Sequence, residues 1–291
     1  MTDLINEHMS KVNRTYGSNV MGFGISGKLN RIQVFLYDTS DEKIEEFKNN
    51  IYPEEEFLIF RNILELVYPK STRDSYEEAL PLWPDNYILC GSHLLNLYTN
   101  NQASLGYRVK DKNGNKGFMT AGHFVYQGRY VTNADRDTIG LCKQCYRRNI
   151  MDASYCELVD DKYELSNNIR TFAIDTLSTL STQPIEGADI IAVGYRNSYH
   201  GKVLNHSFKF SFYDNEGRYC IYTDQVLLDF ISTPGNSGGV VCYKDKDTKD
   251  LMTVGILSGN CTTEVSPVLG RTVAFCCKQN AIQAVMGVKR Y

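Results

Sequence analysis

A chain of 291 residues, 42% hydrophobic, 22% charged and 12% aromatic, has the composition of a soluble globular protein of about two domains rather than of a disordered or fibrous one. Its formal charge of -3, with Lys and Arg scattered along the chain, offers no basic field for nucleic acid. No apolar run approaches the roughly 18 to 20 residues that span a bilayer, and MTDLINEHMSKVNR lacks the basic start and apolar centre of an export signal, so no membrane partner and a cytoplasmic location are expected.

In chain order, NVMGFGIS and RIQVFLY are strand-like runs separated by GKLN, with Ile32, Val34 and Leu36 alternating along the second. They predict a hairpin. TSDEKIEEFKNNI follows as a helix, with Thr39 and Glu42 spaced as a capping box and Ile44, Phe47 and Ile51 on one face. FLIFRN then closes a β-β-α-β unit near Asn62. A proline-rich, charged stretch, YPKSTRDSYEEALPLWPDNY, reads as a connector and puts a domain boundary near residue 87, giving domains 1–87 and 88–291.

From Leu89 the chain changes to short strands bounded by turn residues. SLGYRVKDKNGNKGFMTAGH carries Asn113-Gly114 between two strand-like runs, a hairpin signal. GADIIAVGY, GKVLNHSFKFSF, RYCIYTDQVLL, GGVVCYK and LMTVGILSG continue the pattern, which is that of a β-barrel or sandwich domain. Only KQNAIQAVMGV at the end reads as a helix, with Ile282, Val285 and Met286 on one side.

Three polar residues fall in a telling order within this β region. His123 ends the strand-like TAGH, Asp152 sits in MDASYCEL, and Ser237 lies in the glycine-rich STPGNSGGVV. A serine hydroxyl is a poor nucleophile until an imidazole takes its proton, and a carboxylate holds that imidazole in the right tautomer. Glycines around such a serine have a purpose, because backbone N–H groups of Gly235 and Ser237 must converge on a developing oxyanion without side chains in the way. Each motif alone has an ordinary explanation, a strand end or a tight turn. Together, in this order, they point to nucleophilic acyl transfer.

These residues carry a resemblance. ILCGSHLLNLYTNNQASLGYRV, TAGH, AVGYRNSYHGKV, GNSGG, VGILSG and GRTVAF, in that order, resemble the chymotrypsin-like serine proteases of the bacterial streptogrisin and α-lytic branch over residues 89–291. The resemblance implies a mainly β double barrel. It makes His123 the general base, Asp152 its orienter, Ser237 the nucleophile, and Gly235 an oxyanion donor beside Ser237. Ser258 and Gly259 would lie along an extended polypeptide substrate. A pocket wall of Ile231, Ser232, Thr233, Asn260 and Thr272 has no acidic floor, so a preference for Lys or Arg is not expected. No cofactor and no metal are implied. Secreted members of the family carry a strand-helix-strand pro-segment, and residues 19–62 are similar in kind, so intramolecular inhibition by this first domain is one expectation and a permanent docking module is another. A protease fold kept as a binding scaffold is the alternative to an active enzyme.

The departures from that pattern are informative. Asn236 stands where relatives carry an aspartate before the serine, which removes an activating salt bridge to a new amino terminus. Phe124 and Thr233 stand where relatives place cysteines, so packing must brace those loops. Cys142 and Cys145 form a lone C-x-x-C and Cys276 and Cys277 are adjacent, with no second spaced pair to complete a zinc set. Nine cysteines without the family's disulfide positions are expected to be reduced thiols.

Overall fold

The computed structural model describes residues 19–26, 30–36, 38–51, 57–62, 84, 86–170, 172–213, 219–261 and 273–291. The amino-terminal unit is β1 (Val20–Ser26), β2 (Arg31–Leu36), α1 (Asp41–Asn50) and β3 (Leu58–Asn62). β1 and β2 form the expected hairpin and β3 lies parallel to β2, so α1 is the crossover of a β-α-β unit. Its apolar stripe packs on the sheet: Phe47 and Ile51 join Val34, Leu36 and Leu58 in one buried cluster. The helix start differs from the predicted capping box. Ser40 is the N-cap and makes no side-chain cap bond; its own N–H instead donates to Asp38 Oδ1 at 2.8 Å, an Asx-type turn one residue later than Thr39 would give. The proline-rich connector lies outside the described residues except for Pro84, Asn86 and Tyr87.

The next strands are β4 (Tyr87–Cys90), β5 (His93–Asn96), β6 (Asn101–Ser104), β7 (Arg108–Lys110), β8 (Lys116–Thr120), β9 (Tyr130–Thr132), β10 (Thr138–Arg148) and β11 (Met151–Leu158). Then come β12 (Glu164–Ile169), β13 (Phe172–Ser181), β14 (Asp189–Val193), β15 (Ser198–Tyr213), β16 (Tyr219–Leu228), β17 (Val240–Lys244), β18 (Leu251–Cys261) and β19 (Val273–Lys278). Helix α2 (Gln279–Met286) and β20 (Lys289–Arg290) end the chain.

Two sheets result. One runs β20-β7-β8-β11-β10-β9-β5-β6. In the other, β15-β14-β17-β18-β19-β16 close into a ring, since β16 returns to pair with β15. Each has its own apolar filling, Leu94, Leu105, Phe118, Val131 and Ile139 in the first and Ile190, Val203, Val226, Val241 and Leu257 in the second. A third cluster joins them, with Tyr107, Met119 and Tyr155 against Val193, Val240 and Ile256. The fold is thus mainly β, with two helices among the described residues.

Several details depart from the sequence pattern. The Asn113-Gly114 hairpin is a longer turn than a two-residue one: Asp111 N–H and C=O bond Asn115 and Gly114, and only Gly114 takes positive φ, +88°. In α2, Ile282 and Met286 are buried but Val285 is exposed, because the helix offers a narrow stripe to the core. After α2, β20 crosses to pair with β7 of the first sheet, a connection with no signal in the sequence.

The amino-terminal unit is continuous with the second barrel. β15 is long enough to serve two neighbours along one edge, with β16 along the other: its first half pairs with β14, and Phe208, Lys209 and Phe210 pair with Gly24, Phe23 and Gly22 of β1. Phe35 meets Phe208 edge-on at 5.3 Å within a cluster that also holds Phe210, Tyr222 and Phe275. Asn205, fully buried, donates to Gln33 Oε1 at 2.8 Å and so satisfies two amides at the junction.

Candidate active site

The register of two strands brings His123 to Asp152. Thr120 at the end of β8 faces Ser154 of β11 in an antiparallel pair, so three residues forward from one and two back from the other converge. Asp152, 1% exposed, spends both carboxylate oxygens on one residue: Oδ1 accepts the His123 N–H at 2.8 Å and Oδ2 meets Nδ1 at 2.7 Å. A carboxylate accepting from Nδ1 fixes the proton there and leaves Nε2 as the basic nitrogen. The surrounding protein partly desolvates the imidazole, whose outer edge stays open with 41% of the side chain exposed, and this pulls its pKa down; the Asp152 charge and hydrogen bond outweigh it and hold His123 above its ordinary value. Gly122 is required in the turn that carries His123. A Cβ there would run into Tyr146 O and stand 2.8 Å from Ala153 N and 2.9 Å from Asp152 Oδ1.

Ser237 sits between β16 and β17, half-buried, on a loop gripped by the first barrel. Ser104 does the gripping: its N–H donates to Ser237 O at 2.8 Å and its Oγ to Gly235 O at 3.0 Å. Gly238 has φ +87°, and a Cβ on it would meet Thr120 Oγ1, Ser104 O and, at 2.8 Å, Ala121 N. The loop therefore lies directly against the strand end that carries His123. Thr233-Pro234-Gly235-Asn236 is a β-turn closed by Asn236 N–H to Thr233 O at 3.1 Å, with Pro and a positive-φ Gly (φ +95°) at its centre, a type II arrangement. Among the described residues the N–H groups of Gly235 and Ser237 have no protein acceptor, and the Ser237 hydroxyl has no hydrogen bond.

A polar network replaces the cysteine and aspartate that the resemblance led one to expect. The Tyr199 hydroxyl, on β15, donates to Thr233 Oγ1 and accepts from Thr233 N–H and Asn236 Nδ2, each at 2.8 Å. Asn236 Oδ1 accepts the Arg196 N–H at 3.0 Å, and Asn197 Nδ2 reaches Thr233 Oγ1 at 3.1 Å. Thr233 is thus held by hydrogen bonds rather than by the packing expected there. Phe124, by contrast, is held by packing: it is 2% exposed in the first barrel's cluster. Tyr199 and Ser104 were missed by sequence reasoning, and nothing in a lone Tyr or Ser could have marked them.

Of the other candidates, Ile231 is exposed, Ser232 is buried and bonded to Asn260, and Ser258 and Gly259 lie on β18. Thr272 lies outside the described residues. Eight of the nine cysteines, Cys90, Cys142, Cys145, Cys156, Cys220, Cys242, Cys276 and Cys277, are free thiols. Cys142 faces Cys156 across β10 and β11, and no cluster among the described residues could hold a metal. Cys277, beneath Asp152, has its pKa pushed up to about 12 by burial and by the Asp152 charge, so it stays a neutral thiol.

Solved structures share this architecture. A protease from Nocardiopsis superposes with a TM-score of 0.55 at 19% identity, over 70% of this chain and 100% of that one. Protease A of Thermobifida fusca gives 0.53 at 19% identity, covering 70% and 97%. This is the chymotrypsin-like protease fold. A glutamic acid-specific serine protease that uses a histidine triad in substrate binding also matches, with 0.54, 18% identity, and 70% and 100% coverage. A family model described as a Pro-like C-terminal domain matches residues 1–62. No curated protein matches the chain.

Proposed function

We propose that the chain is a serine endopeptidase. The observation that carries the reading is the single buried carboxylate of Asp152 holding both the backbone and the ring of His123, which leaves Nε2 poised as a base next to the Ser237 loop. Ser237 Oγ attacks the scissile carbonyl and gives its proton to Nε2. The carbonyl oxygen, now an oxyanion, is taken by the unengaged N–H groups of Gly235 and Ser237. His123 passes the proton to the leaving amine, and water then releases the acyl-enzyme by the same steps in reverse order. A fluorophosphonate probe should label the wild-type chain and not Ser237→Ala. Absence of labelling in the wild type would leave a protease fold used as a binding scaffold.

A second reading, a protease kept latent by its own first domain, is supported by the β1–β15 pairing, which joins the sheet of β1, β2 and β3 to the second barrel. If that domain is a pro-segment, intact mass followed over time should show cutting within the connector in the wild type and none in Ser237→Ala. A chain that stays whole while active makes the domain a permanent part of the enzyme. The free thiols support a reducing, cytoplasmic place of action.

A further inference from the structure

β17 and β18 pair only as far as Leu257, whose N–H donates to Gly239 O at 2.8 Å and whose C=O accepts from Gly238 N–H at 2.7 Å. Beyond that point the chain on one side turns away through Ser237. β18 runs on through Ser258, Gly259 and Asn260, bonded on its other side to Phe275 and Ala274 of β19. The side of Ser258–Asn260 that adjoins Ser237 is therefore a strand edge to which an extended peptide can add as an antiparallel neighbour. With its scissile carbonyl at Ser237 and the Gly235 N–H, such a peptide directs the side chain preceding the cut between segment 231–233 and Asn260.

That space is bridged. The Asn260 carboxamide forms a closed ring with the backbone of Ser232: Oδ1 accepts the Ser232 N–H at 2.8 Å and Nδ2 donates to Ser232 O at 2.7 Å, while Ser232 Oγ adds a bond to Oδ1 at 2.9 Å. Below, the backbone is tied as well, because Ala274, the cross-strand partner of Asn260, donates its N–H to Phe230 O at 2.7 Å. One side chain above and one strand below thus close the gap between the two walls. Carboxamide groups with all these partners satisfied do not swing aside without leaving Ser232 unpaired.

From this clamp, and resting on the protease reading above, we propose that Asn260 restricts the substrate to polypeptides with a small residue, Gly, Ala or Ser, immediately before the scissile bond. The test uses the full chain with matched chromogenic peptides differing only at that residue (Gly, Ala, Val, Leu, Phe, Glu or Lys). Wild type should prefer Ala over Leu and Phe by at least about 10-fold in kcat/KM, since one or more misfitting methylenes in a closed pocket carry selectivity of that order. Asn260→Gly and Asn260→Ala should each lower the Ala-to-Leu ratio by about 10-fold or more. A ratio measured within one preparation is insensitive to a partly unfolded fraction. A fluorophosphonate-labelled wild type that cuts best after Leu, Phe, Glu or Lys, or a ratio unchanged in both variants, overturns the clamp alone. A chain that the probe does not label removes the protease reading and the clamp with it.

Discussion

Replacing Tyr199 by Phe isolates the contribution of one hydroxyl to the geometry of the candidate oxyanion site. The ring survives the change, stacked on Phe230 with centroids 4.8 Å apart and planes 5° from parallel, so apolar packing is retained. Lost are the acceptor for Asn236 Nδ2, which is fully buried, and the partner of Thr233, which is partly so. A buried donor left unpaired costs about 1–3 kcal/mol; with Asn236 near the upper end and Thr233 near the lower, the sum is about 3 kcal/mol. For a domain of this size that lowers Tm by roughly 6 to 12 °C. The same bonds hold both ends of the Thr233–Asn236 turn, which aims the Gly235 N–H. Losing an oxyanion donor outright costs about 10²- to 10³-fold in kcat, so loosening one should cost about 10-fold, with little change in KM. Circular-dichroism melting gives the first number, and peptide hydrolysis normalised to fluorophosphonate-labelled sites gives the second. A Tyr199→Phe enzyme that melts within about 2 °C of wild type and turns over at the same rate would refute the role given to this hydroxyl.

Three further outcomes are expected. Because Asp152 holds the His123 pKa above 6.5, activity under the proposed mechanism should rise with pH through an ionisation above that value, and Asp152→Asn should move this limb downward while lowering kcat by about 10⁴-fold, the loss known for a Ser-His-Asp triad. The sign for stability is opposite: the His123–Asp152 contribution is complete below the unfolded histidine pKa and is lost as pH rises through the folded one, so pH-dependent melting of the two proteins should converge at alkaline pH. Gly122→Ala should destabilise the fold by about 1–3 kcal/mol, measured by urea unfolding, and displace Asp152 enough to cut activity about 10²-fold. Thiol titration of the denatured chain without reductant should find its nine cysteines free, and melting with and without reductant should coincide; few free thiols and a lower Tm on reduction would contradict the free state of the eight thiols named above.

The sequence made local features legible and distant ones obscure, for a physical reason. The β1–β2 hairpin, α1 and the turn around Gly114 are written in alternation, helical spacing and turn residues a few positions apart. The nearness of His123, Asp152 and the Ser237 loop was readable because the acyl-transfer chemistry expected of them calls for those side chains together, with glycine nearby. The Tyr199 network was not, because it joins a hairpin to a loop 34 to 37 residues later through a hydroxyl that any surface tyrosine also carries. Nor was the partner of β1, since an alternating strand declares which face is apolar and not which strand it will meet. The missed N-cap and the exposed Val285 are errors of one residue or one helical position, where competing side chains decide locally.

The sharing of β15 between barrel and amino-terminal unit has a consequence for biosynthesis. Asn205 reaches back to Ile25 across 180 residues. The unit of β1, β2, α1 and β3 contains only near-neighbour contacts and can form as soon as it leaves the ribosome, whereas its partner strand follows roughly 7 to 30 s later at ordinary elongation rates. During that interval β1 presents unpaired N–H and C=O groups, open to pairing with a second nascent chain. The first unit thus both waits for and templates the last barrel, and a chain begun at residue 87 would expose the same groups on β15 permanently. Such a truncated chain should be more prone to aggregation than one cut after folding, whose two pieces remain zipped together.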